Sequence, residues 1–261
     1  MVNVVDPKPG DVFLEIGPGT GALTLPLAAR QVTVLAIEID RDLVKDLLEI
    51  VPPHVTVMSG DFLQTDVLPF LSGLEPQQPA GASMPPPPAR RVRVVGNLPY
   101  YIASPILFRL VELHQQHGFF ADATVMLQRE VADRIAARPG TKDYGVLTIL
   151  LGMHARVTRL LELPPGAFNP QPEVRSTVLR LEFGPPAVKV RDERLFERLI
   201  KALFSQRRKT LSNALKAFDP TAPAVLALAD IDGRRRPETL QVQEFARLAD
   251  LIASVRQGPV L

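Results

Sequence analysis

The chain contains no cysteine, which excludes disulfide bonds, thiolate metal sites and any reaction that needs a cysteine nucleophile. It also lacks an uninterrupted apolar run long enough to span a bilayer, so we expect no contact with a membrane. Only four histidines are present, and they are scattered along the chain (His54, His114, His117 and His154). Their spacing predicts no metal site.

The composition is ordinary for a soluble globular protein, since 46% of the 261 residues are hydrophobic and 22% are charged. This length suits one large domain, or one domain with a smaller lobe. The first residues, from Met1 to Asp6, lack the basic and apolar regions of a signal peptide. We therefore expect a cytoplasmic protein, and we expect it to act as a monomer.

Positive charge is concentrated in the last third of the chain. Residues 1–184 contain 16 basic and 19 acidic residues, whereas residues 185–261 contain 14 basic and 9 acidic residues. A basic segment joined to a slightly acidic one favours a polyanion as the partner of the basic segment. A solvated helical surface would give the same numbers, so charge alone leaves these two interpretations even.

The first part of the chain alternates short apolar runs with helical patterns, as βαβ units around a parallel sheet do. The predicted strands cover residues 12–16, 32–37, 55–58, 91–95 and 124–127, and residues 146–153 and 174–183 are apolar enough for further strands or buried segments. Gly184-Pro185-Pro186 breaks this pattern, and only helical patterns follow it. The sequence therefore predicts an α/β domain over residues 1–184 and a small helical domain over residues 185–261.

A proline-rich stretch at residues 72–90 includes four consecutive prolines, Pro85 to Pro88. This composition cannot bury a core, so we expect an extended surface loop. A partner's proline-recognition domain could bind it, but a plain insertion is the simpler interpretation.

A glycine-rich turn, Glu-Ile-Gly-Pro-Gly-Thr-Gly at residues 15–21, follows the first predicted strand. Gly17 and Gly19 would let the backbone turn sharply and approach a ligand closely. NAD and nucleotide enzymes use similar turns, so the glycines alone do not identify the ligand. Pro18 between the glycines and Glu15 at the mouth of the loop argue against NAD, because a carboxylate suits a ligand with an ammonium and a sulfonium better than a pyrophosphate.

Further acidic residues follow the next two predicted strands. Glu38 can accept hydrogen bonds from both hydroxyls of a ribose. Asp61 can accept a hydrogen bond from an adenine amine, with Phe62 packed on the ring. A single acidic residue at the end of a strand is more often a surface residue than a ligand contact. Carboxylates at the ends of three successive strands predict S-adenosylmethionine as the cofactor, because ligands of such sheets bind at the carboxyl ends of the strands.

The tetrapeptide Asn97-Leu98-Pro99-Tyr100 follows the fourth predicted strand, on the same edge of the sheet. It is either an Asn-x-Pro turn or a methyl-transfer site for the amine of adenine. In the second interpretation, the Asn97 side-chain oxygen and a backbone carbonyl near Leu98 accept the two N–H groups and direct the nitrogen lone pair toward the methyl group. Pro99 stiffens the turn, and Tyr100 offers a face on which an extruded base can stack. Such a displacement depends on positioning rather than on a strong base.

Further motifs follow in the chain: Leu-Gln-Arg-Glu-Val at 127–131, Tyr-Gly at 144–145, Phe-Asn-Pro-Gln-Pro-Glu-Val-Arg-Ser at 168–176 and Phe-Ser-Gln-Arg-Arg-Lys-Thr-Leu at 204–211. All of these motifs, in this order, resemble the ribosomal RNA adenine dimethyltransferase family, specifically its small-subunit type. The resemblance implies a Rossmann-like S-adenosylmethionine-dependent methyltransferase sheet with a small all-helical C-terminal domain. It also implies N6,N6-dimethylation of two adjacent adenines in the 3′-terminal hairpin of 16S rRNA, within a small-subunit precursor.

The resemblance also assigns roles to individual residues. The positions that match cofactor contacts of the family are Gly17, Glu38, Asp61 and Asn97. Asn97 and Tyr100 match the target-base site as well, and Phe168 resembles a second stacking aromatic, with core packing as its alternative. A basic stretch that suits phosphate contact consists of Arg207, Arg208 and Lys209, with solvated helix charges as the alternative.

Members of this family usually begin with a basic segment that ends in Gln-Asn-Phe-Leu and helps to cover the cofactor. Here the chain starts about a dozen residues before the glycine loop. Besides the 16S enzyme, we therefore consider a ribosome-assembly binding factor with little catalysis. The 23S rRNA antibiotic-resistance methyltransferases share the first domain's motifs, but Gln-Arg-Arg-Lys-Thr at 206–210 favours the small-subunit type.

Overall fold

The computed structural model describes residues 1–72, 91–167, 171 and 173–257. Most of the predicted proline-rich loop and Phe168 lie outside the described residues, so the predictions made for them stay predictions.

Within the described residues, seven strands form one sheet in the order β3-β2-β1-β4-β5-β7-β6. The strands are β1 (Val12–Ile16), β2 (Thr33–Glu38), β3 (Val55–Ser59), β4 (Val92–Asn97), β5 (Phe120–Gln128), β6 (Ala155–Leu163) and β7 (Ser176–Phe183). Strands β1 to β5 pair in parallel, and β7 pairs antiparallel with β5. This arrangement confirms the predicted Rossmann-like sheet.

The central strands are mostly apolar, as expected for a parallel sheet with two covered faces, and their polar residues lie mainly near the strand ends. Every residue of β1 is buried, and so is every residue of β2 after Thr33. The helices that alternate with the strands are α1 (Val2–Val5), α2 (Thr24–Ala28), α3 (Arg41–Ile50), α4 (Leu68–Ser72), α5 (Ala103–His117) and α6 (Arg129–Ile135). Helix α3 begins directly after β2, where the Asp40 carboxylate accepts hydrogen bonds from the N–H groups of Asp42 and Leu43.

The chain folds into two compact units, residues 1–132 with 156–184 and residues 133–155 with 185–261. The break after Gly184 lies where Gly184-Pro185-Pro186 predicts it. The sequence assigned residues 133–155 to the first domain, but they group with the helical unit. Side chains of this segment, including Tyr144, Ile149 and Met153, are buried in the core of that unit, which explains the grouping.

The second unit contains the helices α7 (Val146–Gly152), α8 (Glu193–Ser205), α9 (Leu211–Phe218), α10 (Val225–Leu228) and α11 (Val242–Gln257). Residues 146–152 are therefore a helix rather than a strand. An aromatic cluster occupies the core, where the Phe204 ring centroid lies 6.1 Å from that of Tyr144 and 6.0 Å from that of Phe245. Burial raises the pKa of the Tyr144 hydroxyl to about 12. In the described ranges, no helix combines the length and the apolar content needed to cross a membrane.

A partly buried arginine joins the first residues of the chain to the sheet. The Arg93 side chain, only 15% exposed, makes ion pairs with Asp122 at 3.0 Å and with Asp11 at 3.2 Å. Its Nη2 also donates to the Val5 carbonyl, at the end of α1, at 2.8 Å. The same guanidinium lies 5.2 Å from the centroid of the Phe13 ring. One side chain thus connects α1, β1, β4 and β5.

We expect the substitution Arg93→Gln to lower the free energy of unfolding by about 3 kcal/mol, because it leaves two largely buried carboxylates without their cation. Urea denaturation followed by circular dichroism measures this change. Arg91→Gln is the matched control, since Arg91 is exposed two residues earlier and should change the free energy by less than about 0.5 kcal/mol. Equal effects of the two substitutions would contradict the role of Arg93.

Candidate functional site

Parallel pairing aligns the carboxyl ends of the first four strands at one edge of the sheet. Ile16 pairs with Ile37, Glu38 with Ser59, and Glu15 with Val95. The residues that follow these strands therefore lie side by side. The glycine loop after β1, Glu38 at the end of β2, Asp61 after β3 and Asn97 at the end of β4 all lie along this edge, as the sequence predicts.

The glycine loop depends on backbone conformations that other residues rarely adopt. Gly17 has φ 69° and Gly19 has φ 57°. No described atom lies within 4 Å of a Cβ built on either residue, so conformation rather than crowding requires glycine. The Gly17 N–H donates to the Ile37 carbonyl at 3.0 Å, which ties the start of the loop to β2. The loop therefore presents bare backbone to an open space at the edge of the sheet.

Glu38 holds two loops together with its carboxylate. One oxygen, Oε2, accepts from the Gly19 N–H at 3.0 Å, and Oε1 accepts from the Asp40 N–H at 3.0 Å. The residue is 7% exposed, so these bonds satisfy a nearly buried charge. Each carboxylate oxygen can accept a second hydrogen bond, so Glu38 keeps the capacity to accept the two hydroxyls of a ribose.

Glu15 is a fully buried acid at the end of β1, with 1% exposure. Burial raises the pKa of the Glu15 carboxyl to about 7; the neighbouring Thr24 hydroxyl opposes this shift and the negative charge of Glu38 adds to it. Among the described residues, none donates a hydrogen bond to Glu15 Oε2. A buried carboxylate oxygen without a donor is costly, and an N–H group of a cationic ligand would satisfy it.

Asp61 and Phe62 form a turn directly after β3. Asp61 Oδ1 accepts from the Leu63 N–H at 2.9 Å, and Oδ2 accepts from the Gln64 side-chain amide at 3.2 Å. The Asp61 side chain is half-buried and so remains within reach of a ligand, whereas Phe62 is 4% exposed. Phe62 therefore has the apolar environment that ring packing requires, and Asp61 is oriented by its own turn.

The loop after β4 is fixed at both ends while Asn97 stays exposed. The Leu98 N–H donates to the Met126 carbonyl at 3.1 Å, and the Leu98 side chain is 1% exposed. Tyr100 is half-buried, and its hydroxyl lies 3.3 Å from the Ser176 hydroxyl, at the start of β7. The loop thus positions an amide and a phenol ring on a rigid base.

Two neighbours of this loop were not among the predicted site residues. A Cβ on Gly96 would lie 2.7 Å from the Ile16 carbonyl oxygen, so only glycine allows β4 to approach β1 this closely. Ser176, 1% exposed, holds the Tyr100 hydroxyl. Gly96 directly precedes the tetrapeptide Asn97-Leu98-Pro99-Tyr100, and Ser176 is the last residue of the motif at 168–176, so these two motifs were the signal that could have identified them.

The predicted phosphate contacts lie in the second unit. Arg208 and Lys209 are exposed, between α8 and α9. The Arg207 side chain has a structural role in addition, because its Nη2 donates to the carbonyls of Lys142 and Tyr144, the latter at 3.3 Å. This bond fixes the start of the basic stretch to the segment that precedes α7.

The residues of the sheet edge fit S-adenosylmethionine. The orphaned Oε2 of Glu15 suits a cationic group, Glu38 suits the ribose, and Asp61 with Phe62 suits the adenine. The open space above Gly17 and Gly19 lets a ligand contact the backbone of the loop. Each feature serves a different part of that cofactor, so together they are a more specific indication than any one alone.

We expect Glu15 to lower the stability of the ligand-free protein at high pH. Its pKa of about 7 in the folded state exceeds the ordinary value of 4.5 for a glutamate, so the folded state binds the proton more tightly than the unfolded state. Stability is then greatest below pH 4.5, as far as this group is concerned, and falls as the pH rises to 7. Well above pH 7, Glu15→Gln should raise the free energy of unfolding by about 3 kcal/mol, because the folded protein then no longer holds a buried carboxylate whose pKa is raised.

Denaturant unfolding at several pH values tests this dependence. Glu49→Gln, which removes an exposed carboxylate from α3, should leave the pH profile unchanged. A Glu15→Gln protein that is no more stable than the original chain at pH 8 would contradict the raised pKa.

Comparison with known proteins agrees with this geometry. The family model described as ribosomal RNA adenine dimethylase matches residues 1–254. The Ribosomal RNA small subunit methyltransferase A of Xanthomonas euvesicatoria pv. vesicatoria is 41% identical over 254 residues, which cover 96% of this chain and 89% of that protein. A protein of the same name from Anaeromyxobacter sp. (strain K) is 43% identical over 252 residues, which cover 95% of this chain and 86% of that protein.

Solved structures show the same fold. A dimethyladenosine transferase from Plasmodium falciparum superposes with a TM-score of 0.71 at 23% identity, covering 98% of this chain and 94% of that one. The 23S rRNA methyltransferase ErmE superposes with a TM-score of 0.65 at 24% identity, and the match covers 97% of this chain and 96% of that one. At these identities the likeness concerns the fold alone. The family match over nearly the whole length, together with the site at the sheet edge, shows that the chain belongs to the ribosomal RNA adenine dimethylase family.

Proposed function

We propose that this S-adenosylmethionine-dependent enzyme dimethylates N6 of two adjacent adenines in the 3′-terminal hairpin of 16S rRNA, acting as a monomer on a small-subunit precursor. The observation that carries the proposal is the position of Asn97, exposed at the same edge as the glycine loop and Glu38. Relatives at 41% and 43% identity carry the name of a small-subunit methyltransferase, which favours 16S over 23S rRNA as the substrate.

The site geometry supports a role for each proposed cofactor residue. Glu15 and the backbone of Gly17 and Gly19 would hold the amino-acid part of S-adenosylmethionine, and Glu38 would accept its ribose hydroxyls. Asp61 and Phe62 would hold its adenine, and Asn97 would close the site from β4. Bound in this way, the cofactor supplies an electrophilic methyl group on a sulfonium centre.

The target adenine needs help because its amine lone pair is delocalised into the ring. The Asn97 side-chain oxygen and a carbonyl of the Leu98-Pro99 segment accept the two N–H groups of the amine, which localises the lone pair on nitrogen. Tyr100 stacks on the extruded base, and its bond to Ser176 keeps the ring in place. We assign the second stacking face to Phe168.

No residue of this loop acts as a strong base. The nitrogen becomes acidic once it carries the new methyl group, so it loses its proton after transfer. The enzyme therefore contributes orientation and hydrogen-bond acceptors rather than proton abstraction. The same site must then accept a singly methylated amine, whose remaining N–H group Asn97 can still bind.

The helical unit supplies the RNA contacts in this proposal. Arg208 and Lys209 extend from the turn before α9 with no ion pair among the described residues, so both charges remain available for phosphates. Arg207 orients the stretch through its bonds to two backbone carbonyls, and its other N–H groups can bind a phosphate.

We expect Asn97→Ala to lower the methylation rate at least about a hundredfold while leaving subunit binding unchanged, because it removes one acceptor for the target amine. Labelled S-adenosylmethionine and small subunits purified without this methylation provide the assay. Asn3→Ala, at an exposed asparagine in α1, is the matched control.

Mapping the label separates the candidate functions. Label in the two adjacent adenines supports the proposal, and label in large-subunit RNA alone would replace it with the 23S activity. A chain that binds small subunits but neither binds S-adenosylmethionine nor methylates would be a ribosome-assembly binding factor.

We expect the double substitution Arg208→Ala, Lys209→Ala to weaken subunit binding and to reduce the slope of log affinity against log salt by about one per lost phosphate contact. Arg194→Ala with Arg198→Ala is the control, since it removes two exposed arginines of the same unit from α8. If the control pair has the same effect, the basic stretch acts only through net charge and the assignment is wrong. Fluorescence anisotropy over a series of salt concentrations measures both the affinity for subunits and its dependence on salt.

A further inference from the structure

A cavity of about 320 Å³ lies where β5 ends and β7 begins, outside the cofactor and target-base residues already assigned. It is lined by Gln128, Arg129, Glu130, Val174 and Arg175. We propose that this cavity holds the RNA nucleotide next to the target adenine, and that Arg175 binds the phosphate that joins the two. The inference rests on the proposed function and adds a specificity-determining site to it.

Backbone pairing builds the cavity from two motifs that are distant in sequence. Gln128, the last residue of β5, pairs with Ser176, the first residue of β7. The Arg129 N–H donates to the Arg175 carbonyl at 3.0 Å, which continues the ladder one step beyond the strands. The walls are therefore set by the sheet itself, and this rigidity favours a specific contact over a general electrostatic one.

The cavity adjoins the loop that would hold the target base. Asn97 pairs with Met126, two residues before Gln128. The Tyr100 hydroxyl contacts Ser176, the residue after Arg175. Neighbouring strands lie about 5 Å apart, so the junction of β5 and β7 is one to two strand spacings from the end of β4. A nucleotide attached to a base at Asn97 can reach this distance.

The order of strands also separates the cavity from the cofactor. The acids that suit the cofactor lie near the ends of β1 and β2 and after β3, whereas the cavity lies on the opposite side of β4, where β5 ends and β7 begins. Cofactor, target base and adjoining nucleotide would thus occupy successive positions along one edge. The cavity is available to the RNA while the cofactor site is filled.

The lining has the chemistry of a nucleotide site. A guanidinium binds a phosphate bidentately, and the Arg175 side chain is exposed with no ion pair among the described residues. The Gln128 amide and the Glu130 carboxylate offer a donor and acceptors to a base edge, and the exposed Val174 offers an apolar contact. The volume lies at the lower end of the range for small-ligand sites, which suits one nucleotide.

The test combines substitutions in the protein with changes in the RNA. Initial rates are measured against the concentration of small subunits that lack this methylation, and the Kd for S-adenosylmethionine is measured by calorimetry. Arg175→Gln should raise KM about tenfold, with kcat and the Kd unchanged within about twofold. Arg175→Lys keeps the positive charge but loses the bidentate guanidinium, so its KM should lie between those of the original chain and Arg175→Gln. Arg30→Gln, at an exposed arginine on the loop before β2, should match the original chain.

Subunits rebuilt with a neutral methylphosphonate on one side or the other of the target adenines complete a double-mutant cycle. The original enzyme should have a lower affinity for one of these two substrates than for unmodified subunits. For Arg175→Gln, the same change in the RNA should cause no further loss of affinity. Independent losses with both substrates, or a KM of Arg175→Gln equal to that of Arg30→Gln, would overturn the assignment. An original chain that methylates neither adenine would instead overturn the proposed function, and the cavity assignment with it.

Discussion

The site depends on the close parallel pairing of β4 with β1. Gly96 makes this approach possible, because any side chain there would meet the Ile16 carbonyl. With the strands in register, the glycine loop and the Asn97 loop end at the same edge, so that a methyl donor and its acceptor can lie side by side. The other strands of the site lie on either side of this pair: β2 and β3 beyond β1, and β5 and β7 beyond β4.

The position of the proposed cofactor residues along one edge of the sheet could be predicted from the sequence because its signals are local. A glycine turn after an apolar strand, and an acid at or just after the end of each of the next two strands, occur within short windows of the chain. The edge of a parallel sheet then brings these windows together without further information. The Tyr100–Ser176 contact could not be predicted in this way, because it joins residues 76 positions apart through an antiparallel strand.

The division into two units shows the same limit of local patterns. Residues 146–152 are apolar and could form a strand or a helix by periodicity alone, and Pro139-Gly140 marks a turn without indicating which core the following residues join. Their place is decided by tertiary packing, since Tyr144 lies against Phe204, 60 residues later in the chain. A boundary marked by glycine and proline, such as residues 184–186, is visible in the sequence, whereas a segment that joins another core is not.

The carboxylate of Glu38 accepts hydrogen bonds from Gly19 and Asp40 in the ligand-free protein. The glycine loop and the turn before α3 are therefore fixed relative to each other before any cofactor arrives. Preorganisation of this kind reduces the conformational entropy that binding must remove, so more of the contact energy appears as affinity. A carboxylate that shapes its own loop in this way gives a ligand at this edge a rigid receptor.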